Sequence, residues 1–320
     1  MGGIAACLCM ACGGNDSKDY WGDTSGGGDK EPTENPNASK PRYIWIDAAA
    51  NFPDFANSKE NIARDLALAK DAGFTDIVVD VRPTTGDVLF KTNLVDQVKF
   101  MYAWIGSNYT KVERTATWDY LQAFVDEARK QGLRIHAAIN TFVGGNQIDG
   151  GTGLLYRDQS KAEWATQMNM QGGITSVMNT SESTKFFNPA HPEVQTFLCD
   201  LLKDLAGYDL DGIFLDRGRF LNLQTDFSDE SRKQFEAYMG GIKIQNYPED
   251  ILTPGASSLP TTYPKYMTKW LEFRAKVIYD FIQKARTAVK GVNSKIKFGV
   301  YVGGWYSTYY DVGVNWAAST

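Results

Sequence analysis

The sequence predicts a TIM (β/α)8 barrel that breaks off after its fifth strand, and three observations lead there. Short β-branched and apolar runs alternate with amphipathic helix patterns, the runs end in charged or amide side chains, and the segments after the runs are long while the returns are short. Strict strand and helix alternation implies parallel strands joined by right-handed crossovers. Long segments after the strands are where a barrel builds its active site. A doubly wound sheet is the runner-up, but the first strand is followed by no Gly-rich phosphate loop.

Each element can be justified in turn. The first run, Tyr43 to Asp47, places Trp45 and Asp47 on one face, because strand side chains alternate. Asn57-Ser58-Lys59-Glu60 reads as a helix start with a capping-box acid, followed by Ile62, Leu66 and Ala69 and a stop at Gly73. The second run, Asp76 to Arg82, gathers Val78, Asp80 and Arg82 on one face, so Asp80 and Arg82 are expected to form an orienting pair. Thr117 opens a helix carrying Leu121, Phe124, Val125 and Ala128 before Gly132. The third run, Arg134 to Asn140, aligns His136 with Asn140, and a lone inward His136 reads as a satisfied core residue. Pro192 suits a first helical position, with Val194, Phe197, Leu198, Leu201, Leu202 and Leu205 as the apolar stripe and His191 capping or packing the entry. The fourth run reaches Asp216-Arg217-Gly218-Arg219, with Phe214 and Asp216 on one face. A long helix from Trp270 to near Gly291 delivers the fifth strand, Ile296 to Val302.

A barrel needs eight such units, so residues 41–320 are expected to be the N-terminal part of one barrel, with the remaining units beyond Thr320. The N-terminus has a different character. Ile4 to Ala11 resembles the apolar core of a bacterial lipoprotein signal, with residues 1–12 as the signal peptide and Cys12 as the lipidated residue. The alternatives are a frayed apolar terminus or a metal-binding cluster of Cys7, Cys9 and Cys12. Residues 13–40, rich in Gly, Asp, Ser, Asn and Pro, read as a flexible tether. Together these place the protein, as an expectation, on a membrane through a lipid anchor in the envelope of a Gram-negative-type bacterium. Cys199 lies in a helix pattern and reads as a plain buried thiol.

The net charge of −5 and the absence of a Lys/Arg cluster argue against a nucleic-acid partner. With two histidines and no paired His/carboxylate spacing, no metal or cofactor is indicated. No nucleophile-elbow motif supports a serine mechanism. Aromatic rings crowd the long loops: Tyr102, Trp104, Tyr109, Tyr156, Trp164, Phe186, Phe187, Trp305, Tyr306, Tyr309 and Tyr310. Such rings either wall a carbohydrate site or pack the loops down.

The ordered set Asp80-Val81-Arg82-Pro83, His136 to Asn140, Leu154-Leu155-Tyr156-Arg157 with Trp164, Phe187 to Val194, Asp211 to Phe220 and Trp270 to Arg274 resembles the glycosyl-hydrolase-like family ten, from about Arg42 onward. The resemblance implies a TIM barrel acting on glycosidic bonds, with Asp216 as the catalytic carboxylate. It also implies that Asp80, Arg82, Asn140, Tyr156 and Arg219 contact a carbohydrate substrate, and the loop rings Trp305 and Tyr306 are expected to join them. Glycoside hydrolysis normally uses two carboxyls. The second is Asp47, Asp80, Asp149, Asp158, Glu182 or a residue beyond Thr320, the last being preferred because the fifth strand carries no acid. The alternative function is a non-catalytic glycan-binding lipoprotein on the same barrel.

Overall fold

The computed structural model describes residues 40–302 and 310–314. At its centre lies a sheet of five parallel strands, β1 (Tyr43–Ile46), β2 (Asp76–Arg82), β3 (Arg134–Asn140), β4 (Gly212–Asp216) and β5 (Lys297–Val300). Their spatial order follows their sequence order. The order contains no reversal, so the switch point of a doubly wound sheet is not present. The five strands fall where the apolar runs predict them.

Between the strands run α1 (Ala48–Phe55), α2 (Lys59–Asp71), α3 (Tyr120–Gln131), α4 (Pro192–Ala206), α5 (Asp229–Tyr238) and α6 (Met267–Val292). One face of the sheet, made by Ile44, Ile46, Ile77, Val79, Val81, Ile135, Ala137, Ile139, Ile213 and Leu215, is buried in one core with helix residues such as Leu66, Phe124, Leu201 and Phe281. Each of the larger side chains contributes about 1.5–3 kcal/mol by leaving water, so this layer fixes the sheet.

The helix starts follow local chemistry. Ser58 caps α2 by accepting from the Asn61 amide at 3.1 Å, one residue after the start that the capping-box spacing to Glu60 implies. For α3 the expected opening at Thr117 is displaced: Asp119 is the cap and accepts from the Gln122 amide, and Gly132 ends the helix at φ 68. The short α1 starts at Asp47, whose carboxylate accepts from the Ala50 amide at 2.8 Å. Its apolar residues form no long stripe and Pro53 interrupts it, so periodicity alone does not disclose it. The segment after β4 likewise contains α5, capped by Ser228.

The other face of the sheet carries Tyr43, Trp45, Val78, Asp80, His136, Asn140, Phe214, Asp216 and Tyr301, set side by side by the strand register. Glycine makes room there. A Cβ on Gly299 would lie 2.7 Å from the Phe214 ring, and one on Gly212 would lie 2.5 Å from His136 Nδ1. Trp45 in turn meets both Phe214 and Tyr301, with ring centroids 5.8 and 5.5 Å apart.

Candidate active site

The carboxyl ends of the strands gather three acids. Asp47 directly follows β1, Asp80 lies near the end of β2, and Asp216 closes β4 opposite Asn140 of β3. Asn140 links them: its amide donates to the Arg82 carbonyl at 3.0 Å and, more weakly, to Asp80 Oδ2 at 3.4 Å. Asp80 is only 7% exposed, and its carboxyl accepts from the Arg82 amide at 3.2 Å and from the Ala48 amide that opens α1. Burial, then the charges of Asp47 and Asp216, push Asp80 up to about 8. It is an acid that keeps its proton at neutral pH.

Asp216 has different surroundings. Burial raises it as well, but the Arg217 amide donates to Oδ1 at 2.6 Å and the Arg217 and Arg219 charges favour ionisation. Arg217 holds that amide in place by adopting the left-handed region, φ 47, unusual for a side chain of its size. Two carboxyls at one mouth therefore differ in what they hold: one is proton-retaining, the other is aimed at by donors.

The expected pairing of Asp80 with Arg82 is not how the arginine is used. A register shift between them turns the Arg82 side chain inward, where it is fully buried. Its guanidinium donates to the carbonyls of Asn140, Thr141 and Val143, pinning the start of the loop after β3. Arg82 therefore braces the mouth through the backbone, its guanidinium buried where a substrate contact was expected. Arg274 of α6 ties the loop after β4 to the segment after β5, donating to the Asn222 carbonyl at 2.7 Å and to the Asp311 carbonyl. Arg82 and Arg274 are both braces.

The remaining expectations sort themselves. Arg219 lies beside the mouth, with its guanidinium on the Phe220 and Leu221 carbonyls at 2.9 Å and over the Phe186 ring. Tyr156 packs its half-buried ring against the backbone of Gly145 and Gly151. Of the alternative acids, Asp149 is taken by Lys111 and Tyr102, and Asp158 caps the turn at Ser160. His136 is buried with Nε2 2.8 Å from Asp76, as a core histidine, while His191 precedes α4 without capping it and meets the Trp164 ring. Trp164, Phe186 and Phe187 are buried packing residues; Trp104 and Tyr109 are exposed. Cys199 is a free, half-buried thiol. Cys12, Trp305 and Tyr306 lie outside the described residues.

Sequence reasoning missed Tyr120. Its hydroxyl is buried without a hydrogen-bond partner, and burial, then the nearness of Asp80, pushes its pKa up. No pattern marks it, since it reads simply as the first residue of α3. Among the described residues, no group of three or more His, Cys, Asp or Glu could hold a metal ion, and no helix is long and apolar enough to cross a membrane.

Known proteins share this architecture. The fold resembles alpha-L-fucosidase isoenzyme 2 from Paenibacillus thiaminolyticus at a TM-score of 0.54 and 16% identity, over 84% of this chain and 33% of that one. It resembles the beta-galactosidase from the psychrophilic Marinomonas ef1 at 0.54 and 10%, over 84% and 38%. A third likeness, to the catalytic domain of beta-amylase from Paenibacillus polymyxa, has a TM-score of 0.51 at 14% identity, over 81% and 65%. In sequence, the chain is 32% identical over 288 residues to an S-layer-related protein of Niallia circulans, covering 86% of this chain. It spans only 17% of that curated relative. The model of the family described as Glycosyl hydrolase-like 10 matches residues 40–318, the stretch that holds all five strands and the three acids, and the chain belongs to that family.

Proposed function

We propose that the protein is a glycoside hydrolase acting on a polysaccharide or a peptidoglycan glycan strand, with Asp80 as general acid and Asp216 as nucleophile or base. Membership of a glycosyl hydrolase-like family supports a glycan-related function. The observation that carries the mechanism is the contrast between two carboxyls at one mouth: Asp80 is buried among like charges and holds its proton, while Asp216 accepts from the Arg217 amide and has the Arg217 and Arg219 charges beside it. Asp80 would pass its proton to the glycosidic oxygen as the bond to C1 breaks. Asp216 would then attack C1, or take the proton of a water that does. An acid already at the mouth removes the need for a donor beyond Thr320. Trp45, Phe214 and Tyr301 would form an apolar floor for the sugar ring.

The five sequential parallel strands are read as part of a (β/α)8 barrel, and the protein as held in the cell envelope by lipid on Cys12. A cell-surface setting is in keeping with a relative named S-layer-related. Expressed from the full gene, Cys12→Ser should leave the detergent phase for the aqueous one; identical partitioning of both forms would end the anchor reading.

The chemistry is tested on glycan strands stripped of peptide and on aryl glycosides. Asp216→Asn should lose about 10³-fold or more in turnover with its thermal midpoint unchanged. Asp80→Asn should lose about 10²–10⁴-fold on glycans, but much less on aryl glycosides whose leaving group needs no proton. Activity of Asp216→Asn within about tenfold of wild type would refute the assignment. Wild-type protein that binds glycan without cleaving it would favour the non-catalytic alternative.

A further inference from the structure

Inside the segment between β2 and α3, Phe100–Ile105 and Asn108–Glu113 form a two-stranded antiparallel hairpin. Its faces are the reverse of what solvent dictates. Met101 and Ala103, 4% and 3% exposed, lie on the inner face, on a strand packed against α1. The larger rings of Phe100, Tyr102, Trp104 and Tyr109 are on the outer face. Trp104 is 68% exposed and Tyr109 56%. The rings form one strip: Phe100 to Tyr102 at 6.2 Å, Tyr102 stacked on Tyr109 at 5.4 Å, and Trp104 on Tyr109 at 5.3 Å. Cross-strand aromatic pairs stabilise a hairpin, yet that purpose does not require rings this exposed, and contiguous exposed apolar strips mark binding surfaces.

We propose that this strip is a secondary stacking platform for an uncharged glycan chain, and the proposal rests on reading the carboxyl mouth as a glycan site. Charge decides against other occupants. The one lysine on the strip, Lys111, is paired with Asp149 at 2.8 Å, and Tyr102 donates to the same carboxylate at 2.9 Å. With Glu113 opposite Phe100 on the same face, that leaves a surface with polar edges and no excess of positive charge, unsuited to nucleic acid or anionic lipid. Rings two residues apart on a strand repeat at roughly 7 Å, on the scale of a sugar unit. Phenol and ammonium groups at the edges can meet sugar hydroxyls while the ring faces meet C–H groups. The hairpin that bears the strip packs on α1, the helix capped by Asp47 of the mouth.

The test is native electrophoresis of the full-length protein in gels containing neutral polysaccharides (xylan, chitin derivatives and laminarin), alongside sedimentation to read oligomeric state. Wild type and Asp216→Asn should both be retarded by at least one gel. A Trp104→Thr/Tyr109→Thr double variant, which keeps β-propensity, should weaken that binding roughly tenfold or more while remaining folded by circular dichroism. Retardation of wild type by none of the gels, or equal retardation of wild type and double variant, would overturn the platform. So would a wild-type dimer that the double variant dissolves, which would assign the strip to a second copy. Because Asp216→Asn binding is scored separately from cleavage, loss of the hydrolase reading and loss of the platform give different results.

Discussion

Asp76 and Asp80 stand four residues apart on β2, on the same face of the same strand, and their chemistry is opposite. Asp76, fully buried at the strand's start, would be pushed up by burial, but Arg134, Thr75 and His136 all bond its oxygens and hold it below the usual carboxylate range. Asp80, at the other end, receives only two backbone amides and a long contact from Asn140, and its charged neighbours Asp47 and Asp216 are like-signed. One end of the sheet satisfies its acid with the Arg134 cation, a hydroxyl and an imidazole. The other end crowds acids together and leaves one protonated. On the proposed function, stability is built at the amino ends of the strands and chemistry at the carboxyl ends, the division seen in barrels.

Breaking the partnered acid should have the largest effect on folding. Asp76→Ala removes the carboxylate from Arg134, Thr75 and His136 and leaves the buried imidazole without its partner, a loss of about 3 kcal/mol. A denaturant titration checks this, with an unchanged m-value and a lower midpoint. Arg82→Lys should be next. A lysine cannot span the three carbonyls that the guanidinium holds, and a loss of about 2 kcal/mol is expected. Activity should fall with it, because the loop after β3 is released; unaltered stability would show that the brace is dispensable.

The effect of pH is the most discriminating, since the two acids tilt the pH dependence of stability in opposite directions. Asp76 has a lowered folded value, so its contribution is present above the unfolded value of about 4 and lost as pH falls. Asp80 has a raised folded value near 8. The folded chain keeps a proton that the unfolded chain releases above about pH 4, so the contribution is complete below that pH and lost as pH climbs towards 8. Asp80→Asn cannot ionise. It should therefore match wild type near pH 4 and be more stable than wild type near pH 8, which thermal melts across that range would show.

Much of this was legible in the sequence. Four of the five strands announce themselves because apolar runs end abruptly in polar groups, the fifth because a long helix delivers it, and Asp216 and Asn140 face each other as their parity implies. Parity failed at Arg82, because a one-residue register shift is invisible in a pattern of period two and sends the guanidinium to the backbone instead. The helix α1 was hidden by its brevity and by Pro53, and with it the helix-start amide that Asp80 accepts from. Asp80's protonated state was beyond reading. It follows from which partners are missing, and missing partners are a property of the folded surroundings.

The difference between the two acids can be observed directly by carbon-13 NMR of protein labelled at the aspartate carboxyl carbons, assigned with Asp76→Asn and Asp80→Asn. Asp80 should titrate near pH 8, with Asp76 remaining ionised from neutral pH down to below the ordinary carboxylate range. If Asp80 instead titrates with the exposed carboxylates near pH 4, it holds no proton to donate at neutral pH, and its role as the general acid is wrong.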